Sequence, residues 1–224
     1  MAVVTAVLTG IMLIRSGGGA PASGDAHGAG TGAAGTLPNA VAGARGAFGR
    51  TASGQADPAE VRVSGRSVTA IGDSVMVAST PALQAAMPGI AINAMVGRQF
   101  STGLQVLAGI KAQGELRPIV VFALGTNGTV TSAELQALFA EIGPRRLLVL
   151  VSTFEARPWE NEVNAALAAA ARSHARVVLA NWFAVIQHRT YLLWPDAIHP
   201  QPAGGVLYAR MLTRAVDRVA ALAA

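Results

Sequence analysis

After Val61, short apolar runs alternate with segments in which apolar residues recur at helical spacing. The short runs are almost continuously apolar, as expected for strands of a parallel sheet that is covered on both faces. We predict strands at residues 68–71, 90–94, 119–124, 147–152 and 177–180. Helices are predicted at residues 75–86, 102–113, 132–141, 160–174 and 202–222, with the last presenting an apolar face of Val206, Leu207, Met211, Ala215 and Val219.

This order of elements is that of repeated βα units. It predicts an α/β fold, a three-layer α/β/α sandwich around a five-stranded, mainly parallel sheet of the flavodoxin-like kind. An open sheet of this kind carries its active site in the crevice beyond the carboxyl ends of the strands. Polar motifs that directly follow a predicted strand are therefore the candidates for chemistry.

Composition divides the chain into an apolar stub at residues 1–15, a linker at 16–60 and a folded domain at 61–224. The linker is rich in Gly, Ala, Ser and Pro, and it cannot bury enough apolar surface to offset its ordering entropy. The stub, apolar as far as Ile14, would cover about 20 Å as a helix, against about 30 Å of membrane hydrocarbon. It fits a signal segment, the end of a longer membrane helix or an apolar start without function, and the membrane-related alternatives are favoured.

Charge and residue types exclude several functions. The formal net charge is +5, but the basic residues are scattered along the chain without a concentrated stripe and only one is a lysine, so no nucleic-acid partner is predicted. Cysteine is absent, which excludes disulfides, thiolate nucleophiles and cysteine zinc sites. The sequence has no H-E-x-x-H motif, P-loop or carboxylate cluster, and its one G-x-G-x-x-G spacing, at Gly30, Gly32 and Gly35, follows no strand. No metal or cofactor is predicted.

The first candidate motif is Gly72-Asp73-Ser74, between a predicted strand and a predicted helix. A serine at a helix N-terminus lies where backbone N–H groups and the helix dipole can stabilise a developing oxyanion. The alternative is structural, because Ser or Asp before a helix is often only a cap.

The second motif is Gly125-Thr126-Asn127-Gly128, which follows the very apolar strand at residues 119–124. Asn-Gly is a strong turn former, so a simple turn is one interpretation. At the end of a central strand, however, Asn127 could direct its side-chain N–H at a carbonyl oxygen above Ser74.

The third motif is Asp196-Ala197-Ile198-His199-Pro200, before the last predicted helix. One loop can direct an acid and a base with this spacing towards a single point, so that His199 takes the Ser74 proton while Asp196 fixes the histidine tautomer. The remaining histidines, His27, His174 and His188, offer no comparable arrangement and are interpreted as solvated or structural. No G-x-S-x-G elbow occurs, which argues against the ordinary α/β-hydrolase plan.

The order of these motifs resembles that of the SGNH, or GDSL, hydrolase superfamily. GDSV at residues 72–75 is similar to its first block, Gly97 to its second, GTNG at 125–128 to its third and DAIHP at 196–200 to its last. The similarity covers residues 68–222, nearly all of the predicted domain.

Two further runs narrow the resemblance. AMVGRQF at residues 94–100 and ARPWENEVN at 156–164 are similar to the soluble domain of acyltransferase-3 proteins, which include peptidoglycan and cell-wall polysaccharide O-acetyltransferases. Within these runs Arg98, Arg157 and Trp159 are candidates for substrate binding. Trp159 could stack on a sugar ring or could pack as a hydrophobic anchor for the next helix, and packing is favoured.

The resemblance implies residue roles. Ser74 would be the nucleophile, His199 the general base and Asp196 its orienting carboxylate. The oxyanion donors would be the backbone N–H groups of Ser74 and Gly97 and the side chain of Asn127, and Asp73 would be structural. Asn93 and Ala197 depart from the family pattern, in which an acid and a glycine are common, but neither removes a triad atom.

The resemblance also implies a function. We expect an extracytoplasmic acyltransferase, tethered to the cell membrane, that moves acetyl groups from a donor to the hydroxyls of cell-envelope glycan. A membrane acyltransferase-3 partner, or a membrane domain missing from this chain, would supply the acetyl group. The alternatives are an SGNH carbohydrate esterase and a non-catalytic glycan-binding descendant.

Overall fold

The structure is a computed structural model, and it describes residues 62–223. The predicted stub and linker lie outside the described residues. Among those residues, no helix combines the length and apolar character needed to cross a membrane.

The core element is a five-stranded sheet in the order β2-β1-β3-β4-β5. All four strand pairs are parallel. The strands are β1 (Val68–Gly72), β2 (Ala91–Ala94), β3 (Ile119–Ala123), β4 (Leu147–Val151) and β5 (Val177–Ala180). Each predicted strand is present, with ends that differ by one residue, so the predicted parallel α/β sheet is confirmed.

Six helices connect or follow the strands within the described residues. They are α1 (Ser74–Ala86), α2 (Phe100–Ala112), α3 (Ser132–Ile142), α4 (Glu160–Ser173), α5 (Trp182–Ile186) and α6 (Pro202–Ala221). The sequence did not predict α5 because it has only five residues, too few to show a period. Its N-cap, Asn181, accepts a hydrogen bond from the Ala184 N–H at 3.0 Å.

The helices cover both faces of the sheet and form two hydrophobic cores. The first core joins α1, α5 and α6 to one face, and the second joins α2, α3 and α4 to the other. The three middle strands are buried along their whole length, which confirms the three-layer sandwich. Edge strand β2 is only partly covered, with Asn93 exposed, so the expectation of cover on both faces fails there.

The buried face of α6 agrees with the predicted one except at Val206, since Leu207 and Met211 are partly buried against the first core. Ala215 and Val219 are buried as expected, but Val206 is 44% exposed and the face continues instead through Tyr208 and Leu212. At the start of the helix a Cβ added at Gly205 would lie 3.5 Å from the Ser79 Cα, an ordinary van der Waals distance. Helix α6 thus packs against α1.

Candidate active site

Ser74 is the first residue of α1 and follows the end of β1 directly. The cap of this helix is Asp73, whose Oδ1 accepts a hydrogen bond from the Val75 N–H at 3.0 Å. Because the aspartate performs the capping, the Ser74 side chain is not needed as the cap, and its role as nucleophile stays a prediction. Gly72 is required because an added Cβ would lie 2.6 Å from Met76.

His199 lies in a hairpin of residues 193–200, which we call the His199 hairpin. An antiparallel bridge between Leu193 and Pro200 closes it, and the Trp194 N–H donates to the His199 carbonyl at 2.8 Å. Inside it, Asp196 Oδ1 accepts from the N–H groups of Ile198 at 2.9 Å and His199 at 3.0 Å. The hairpin thus fixes the backbone of His199 through the side chain of Asp196.

The other oxygen of Asp196 binds the imidazole. Asp196 Oδ2 lies 2.8 Å from His199 Nδ1. The backbone N–H of His199, then its side chain, then the N–H of Ile198 lower the pKa of Asp196 to about 2. An ionised carboxylate only accepts, so Nδ1 carries the proton and Nε2 keeps its lone pair for a substrate proton.

Ser74 and His199 lie at the same edge of the sheet. The helices that begin at Ser74 and just after His199 pack against each other. Burial raises the pKa of Asp73, and the Val75 N–H, the Thr126 hydroxyl and the charge of His199 oppose that rise. His199 therefore lies within electrostatic range of the residue next to Ser74. No hydrogen bond links Ser74 to His199 among residues 62–223.

The candidate oxyanion donors lie on two loops that contact each other. Gly97 has φ +72°, in the left-handed region that favours glycine. The Gln99 side chain donates to the Asn127 carbonyl at 2.7 Å, and Asn127 Nδ2 lies 3.4 Å from the Arg98 carbonyl. The structure therefore brings the loops after β2 and β3 together, next to the loop that carries Ser74.

Comparisons with known proteins support the family resemblance and the fold. No family model matches the chain. Peptidoglycan O-acetyltransferase OatA of Listeria monocytogenes is 34% identical over 149 residues, which are 66% of this chain and 24% of that protein. The C-terminal catalytic domain of Streptococcus pneumoniae peptidoglycan O-acetyltransferase A, solved with a methylsulfonyl adduct, superposes with a TM-score of 0.64 at 23% identity, over 69% of this chain and 94% of that one.

The chain has the fold of an SGNH hydrolase. A family 3 carbohydrate esterase of Clostridium thermocellum shares the fold, with a TM-score of 0.54 at 14% identity over 70% of this chain and 98% of that one. The resemblance read from the motifs is confirmed, and the chain spans about a quarter of the length of the curated relatives that it matches.

Arg98 occupies an unexpected place in this SGNH fold. It is 5% exposed, and its guanidinium donates to the Gly72 carbonyl at 3.2 Å and to Asn93 Oδ1 at 2.7 Å. These contacts brace the end of β1 against β2, directly before Ser74. The predicted substrate contact of Arg98 is therefore corrected to a supporting role, because its donors point into the fold.

The two other candidate substrate residues follow β4. Trp159 packs against the second core and its indole nitrogen is buried, which favours the packing interpretation over stacking on a sugar. Arg157 is exposed and stays a predicted substrate contact.

Glu155 is a buried acid near the site that the motifs did not indicate. Its side chain accepts a hydrogen bond from the Thr153 hydroxyl at 3.1 Å, and it is 2% exposed. Burial raises the pKa of Glu155 to about 8, and the charges of Glu160 and Asp73 add to this rise. Sequence patterns could not show it, because a lone glutamate after a strand has no distinctive spacing.

Glu155→Gln is expected to remove a pH dependence of stability. The pKa of Glu155 is about 8 in the folded chain, against an ordinary value of 4.5, so the folded state binds more protons between these values. Rising pH should therefore destabilise the wild type across that window, by at most about 1.4 kcal/mol per pH unit. Urea unfolding at several pH values should show a flatter profile for the variant. The exposed-site control Glu162→Gln should keep the wild-type slope, and equal slopes in all three proteins would contradict the burial effect.

Ala197→Gly is expected to stabilise the His199 hairpin. Ala197 has φ +57°, a conformation that costs a non-glycine residue about 1–2 kcal/mol, while glycine adds about 0.5–1 kcal/mol of chain entropy to be lost on folding. A net gain of about 0.5 kcal/mol in the free energy of unfolding should appear in thermal melts. The control Ala169→Gly, in the exposed middle of α4, should instead lose about 1 kcal/mol, and equal losses would show that no strain is relieved.

Proposed function

We propose that this domain is a serine O-acyltransferase that moves acetyl groups onto hydroxyls of extracytoplasmic cell-envelope glycan, peptidoglycan or polysaccharide, with Ser74, His199 and Asp196 as the triad. The observation that carries the proposal is the 2.8 Å contact of Asp196 Oδ2 with His199 Nδ1, in a hairpin that precedes the helix packed on the Ser74 helix. The names of the Listeria and Streptococcus relatives support acetyl transfer to peptidoglycan.

The reaction has two halves. In the first, His199 Nε2 takes the Ser74 hydroxyl proton while Oγ attacks the acetyl carbonyl, and the donor's leaving oxygen departs with that proton. In the second, a glycan hydroxyl gives its proton to Nε2 and attacks the acetyl-serine, and Ser74 regains a proton as the ester is released. Asp196 keeps Nδ1 protonated throughout and stabilises the imidazolium that forms in each half.

The negative charge that develops on the acetyl oxygen needs donors. The backbone N–H groups of Ser74 and Gly97 and the Asn127 side chain would supply them. Ser74 and Gly97 would each donate their own backbone N–H. The Asn127 side-chain amide has two N–H donors, so one can approach the Arg98 carbonyl while the other faces the acetyl oxygen. One such donor contributes about 3–4 kcal/mol of transition-state stabilisation in comparable enzymes.

The acetyl donor and the location belong to the same proposal. Since the chain corresponds to about a quarter of its curated relatives, a membrane acyltransferase, on a separate chain or on the same polypeptide, would deliver the acetyl group. The domain would then act outside the cytoplasm, tethered to the membrane.

The acceptor sugar would bind to exposed apolar and aromatic side chains near the triad. Met95 and Val96 directly precede Gly97 and are 48% and 70% exposed, and Tyr191 and Trp194 lie just before Asp196 and are 74% and 52% exposed. These exposed side chains are close in sequence to Gly97 and to Asp196. Trp194 offers the flat aromatic face that suits a pyranose ring, the role first considered for Trp159.

Trp194→Ala is expected to raise the KM for a glycan acceptor about tenfold, the loss of one aromatic stacking contact. Its backbone contact to His199 is retained, so hydrolysis of p-nitrophenyl acetate without acceptor should stay at the wild-type rate. Leu222→Ala, which removes an exposed side chain beyond the far end of α6, is the control. An unchanged acceptor KM in Trp194→Ala would exclude Trp194 from the acceptor surface.

The competing function is a carbohydrate esterase, favoured by the fold match to the family 3 esterase. Incubation with p-nitrophenyl acetate and a chitooligosaccharide or muramic-type acceptor separates the two. Acetylated acceptor identified by mass spectrometry would support transfer. Acetate as the only product would support hydrolysis, and tight glycan binding without turnover would support a binding descendant.

A further inference from the structure

A small cavity lies beneath the nucleophile, on the sheet side of α1. It is bounded by the N-terminus of α1, the carboxyl ends of β3 and β4 and the facing sides of α5 and α6. The lining residues whose side chains bear polar atoms are Asp73, Thr126, Ser152, Thr153, Trp182 and Tyr208.

Two of these polar groups have no hydrogen bond of good geometry within residues 62–223, although the Thr126 hydroxyl is near enough to lower the pKa of Asp73. They are Asp73 Oδ2 and Trp182 Nε1, both buried. Asp73 as a whole is 2% exposed and Trp182 is 1% exposed. A buried carboxylate oxygen and a buried indole N–H without partners each cost about 1–3 kcal/mol, so both groups are expected to have a partner that is not a protein atom.

Two of the four hydroxyls that line the cavity are already engaged. Ser152 Oγ donates to Asn181 Oδ1 at 3.0 Å and accepts from the Phe183 N–H at 3.0 Å. The Thr153 hydroxyl donates to Glu155 at 3.1 Å. Neither can turn towards Asp73 or Trp182 without breaking these contacts.

The size of the cavity indicates which molecule can bind to Asp73 and Trp182. The volume open to the centre of a water-sized molecule is about 10 Å³, which is close to the minimum for one water and too little for an organic ligand. We propose that one buried water molecule bridges Asp73 and Trp182, accepting from Trp182 Nε1 and donating to Asp73 Oδ2. The Thr126 and Tyr208 hydroxyls, which also line the cavity, would complete its hydrogen bonds.

The bridge would fix the nucleophile. Asp73 holds the first turn of α1 through Val75 with one oxygen, and the water would hold the other oxygen, so the carboxyl cannot rotate away. Tyr208 supports the arrangement, because its ring lies edge-on to that of Trp182, with centroids 5.1 Å apart. Asp73 and Trp182 are thus positioning residues, and their effect on turnover rests on the proposed function, whereas the water itself does not.

The water is tested directly by a high-resolution crystal structure of the whole chain. We expect a density peak within about 3 Å of both Trp182 Nε1 and Asp73 Oδ2. We also expect magnetisation transfer from a long-lived water to the Trp182 indole proton in nuclear magnetic resonance spectra. A direct contact between the two side chains, or an indole proton that meets no such water, would overturn the proposal whatever reaction the domain performs.

The positioning role is tested by Trp182→Phe, which keeps an aromatic ring against Tyr208 but removes the N–H. The kcat for p-nitrophenyl acetate should fall about tenfold with KM unchanged. Phe183→Leu, a packing change on the same helix beside Phe154, should lower the melting temperature without lowering kcat. Equal kcat in both variants and the wild type would refute the positioning role, while wild-type protein without turnover would refute the proposed function instead.

Discussion

Replacement of Ser74 by alanine is expected to lower kcat for p-nitrophenyl acetate by about 10⁴-fold or more, while leaving the fold intact. The Ser74 Oγ is the atom that bonds to the acetyl group, and no other side chain can take its place in the turn between β1 and α1. Its removal should not weaken the helix, because the cap is the Asp73 carboxylate. The melting temperature should therefore stay close to that of the wild type.

Ser101→Ala, which removes an exposed hydroxyl from α2, is the matched control and should retain full activity. Unchanged turnover in Ser74→Ala would exclude the acyltransferase and the esterase together. A loss of activity accompanied by unfolding would show that Ser74, rather than Asp73, holds the start of α1.

Replacement of Asp196 by asparagine is expected to lower kcat by about 10⁴-fold at neutral pH. The amide oxygen can still accept from the N–H groups of Ile198 and His199, so the hairpin should keep its shape. The amide nitrogen, however, would donate to His199 Nδ1 and stabilise the tautomer with the proton on Nε2. That nitrogen could then no longer take the Ser74 proton.

Asp217→Asn is the matched control, because Asp217 also accepts a backbone hydrogen bond, from Val63 at 2.9 Å, but lies further along α6. It should change stability without changing kcat. Wild-type kcat in Asp196→Asn would contradict the triad assignment even if Ser74 proved essential.

The sequence predicted the fold well because buried parallel strands have a simple sequence pattern. The runs at β3 and β4 are continuously apolar and have no alternative as helices of useful length. Edge strand β2 and the five-residue α5 were harder, because a half-covered strand and a single helical turn lack a periodic pattern. The predicted face of α6 was wrong only at Val206, which is exposed although it is apolar.

The sequence predicted those parts of the candidate site that belong to motifs directly after a strand. Asp196 and His199 are close in sequence, so their contact follows from local geometry. The further hydrogen bonds that hold Asp196 in place could not be predicted, since only the structure shows that the Ile198 and His199 N–H groups donate to it. Arg98 was predicted to contact substrate because a sequence does not show which way a guanidinium points.

The polar groups beneath the nucleophile were beyond sequence reasoning. Asp73, Glu155 and Trp182 come from three separate segments, and only Asp73 belongs to a motif that the sequence shows. Only the fold shows that they are buried near one another and that two of them share a cavity.

The central claim is that Ser74 carries the acyl group, and peptide mass mapping after brief exposure to p-nitrophenyl acetate tests it most directly. The account predicts an acetyl group on the peptide that contains Ser74 in the wild type, much slower labelling in His199→Ala and none in Ser74→Ala. Acetylation at another residue with turnover intact, or labelling of Ser74 at the same rate without His199, would contradict it.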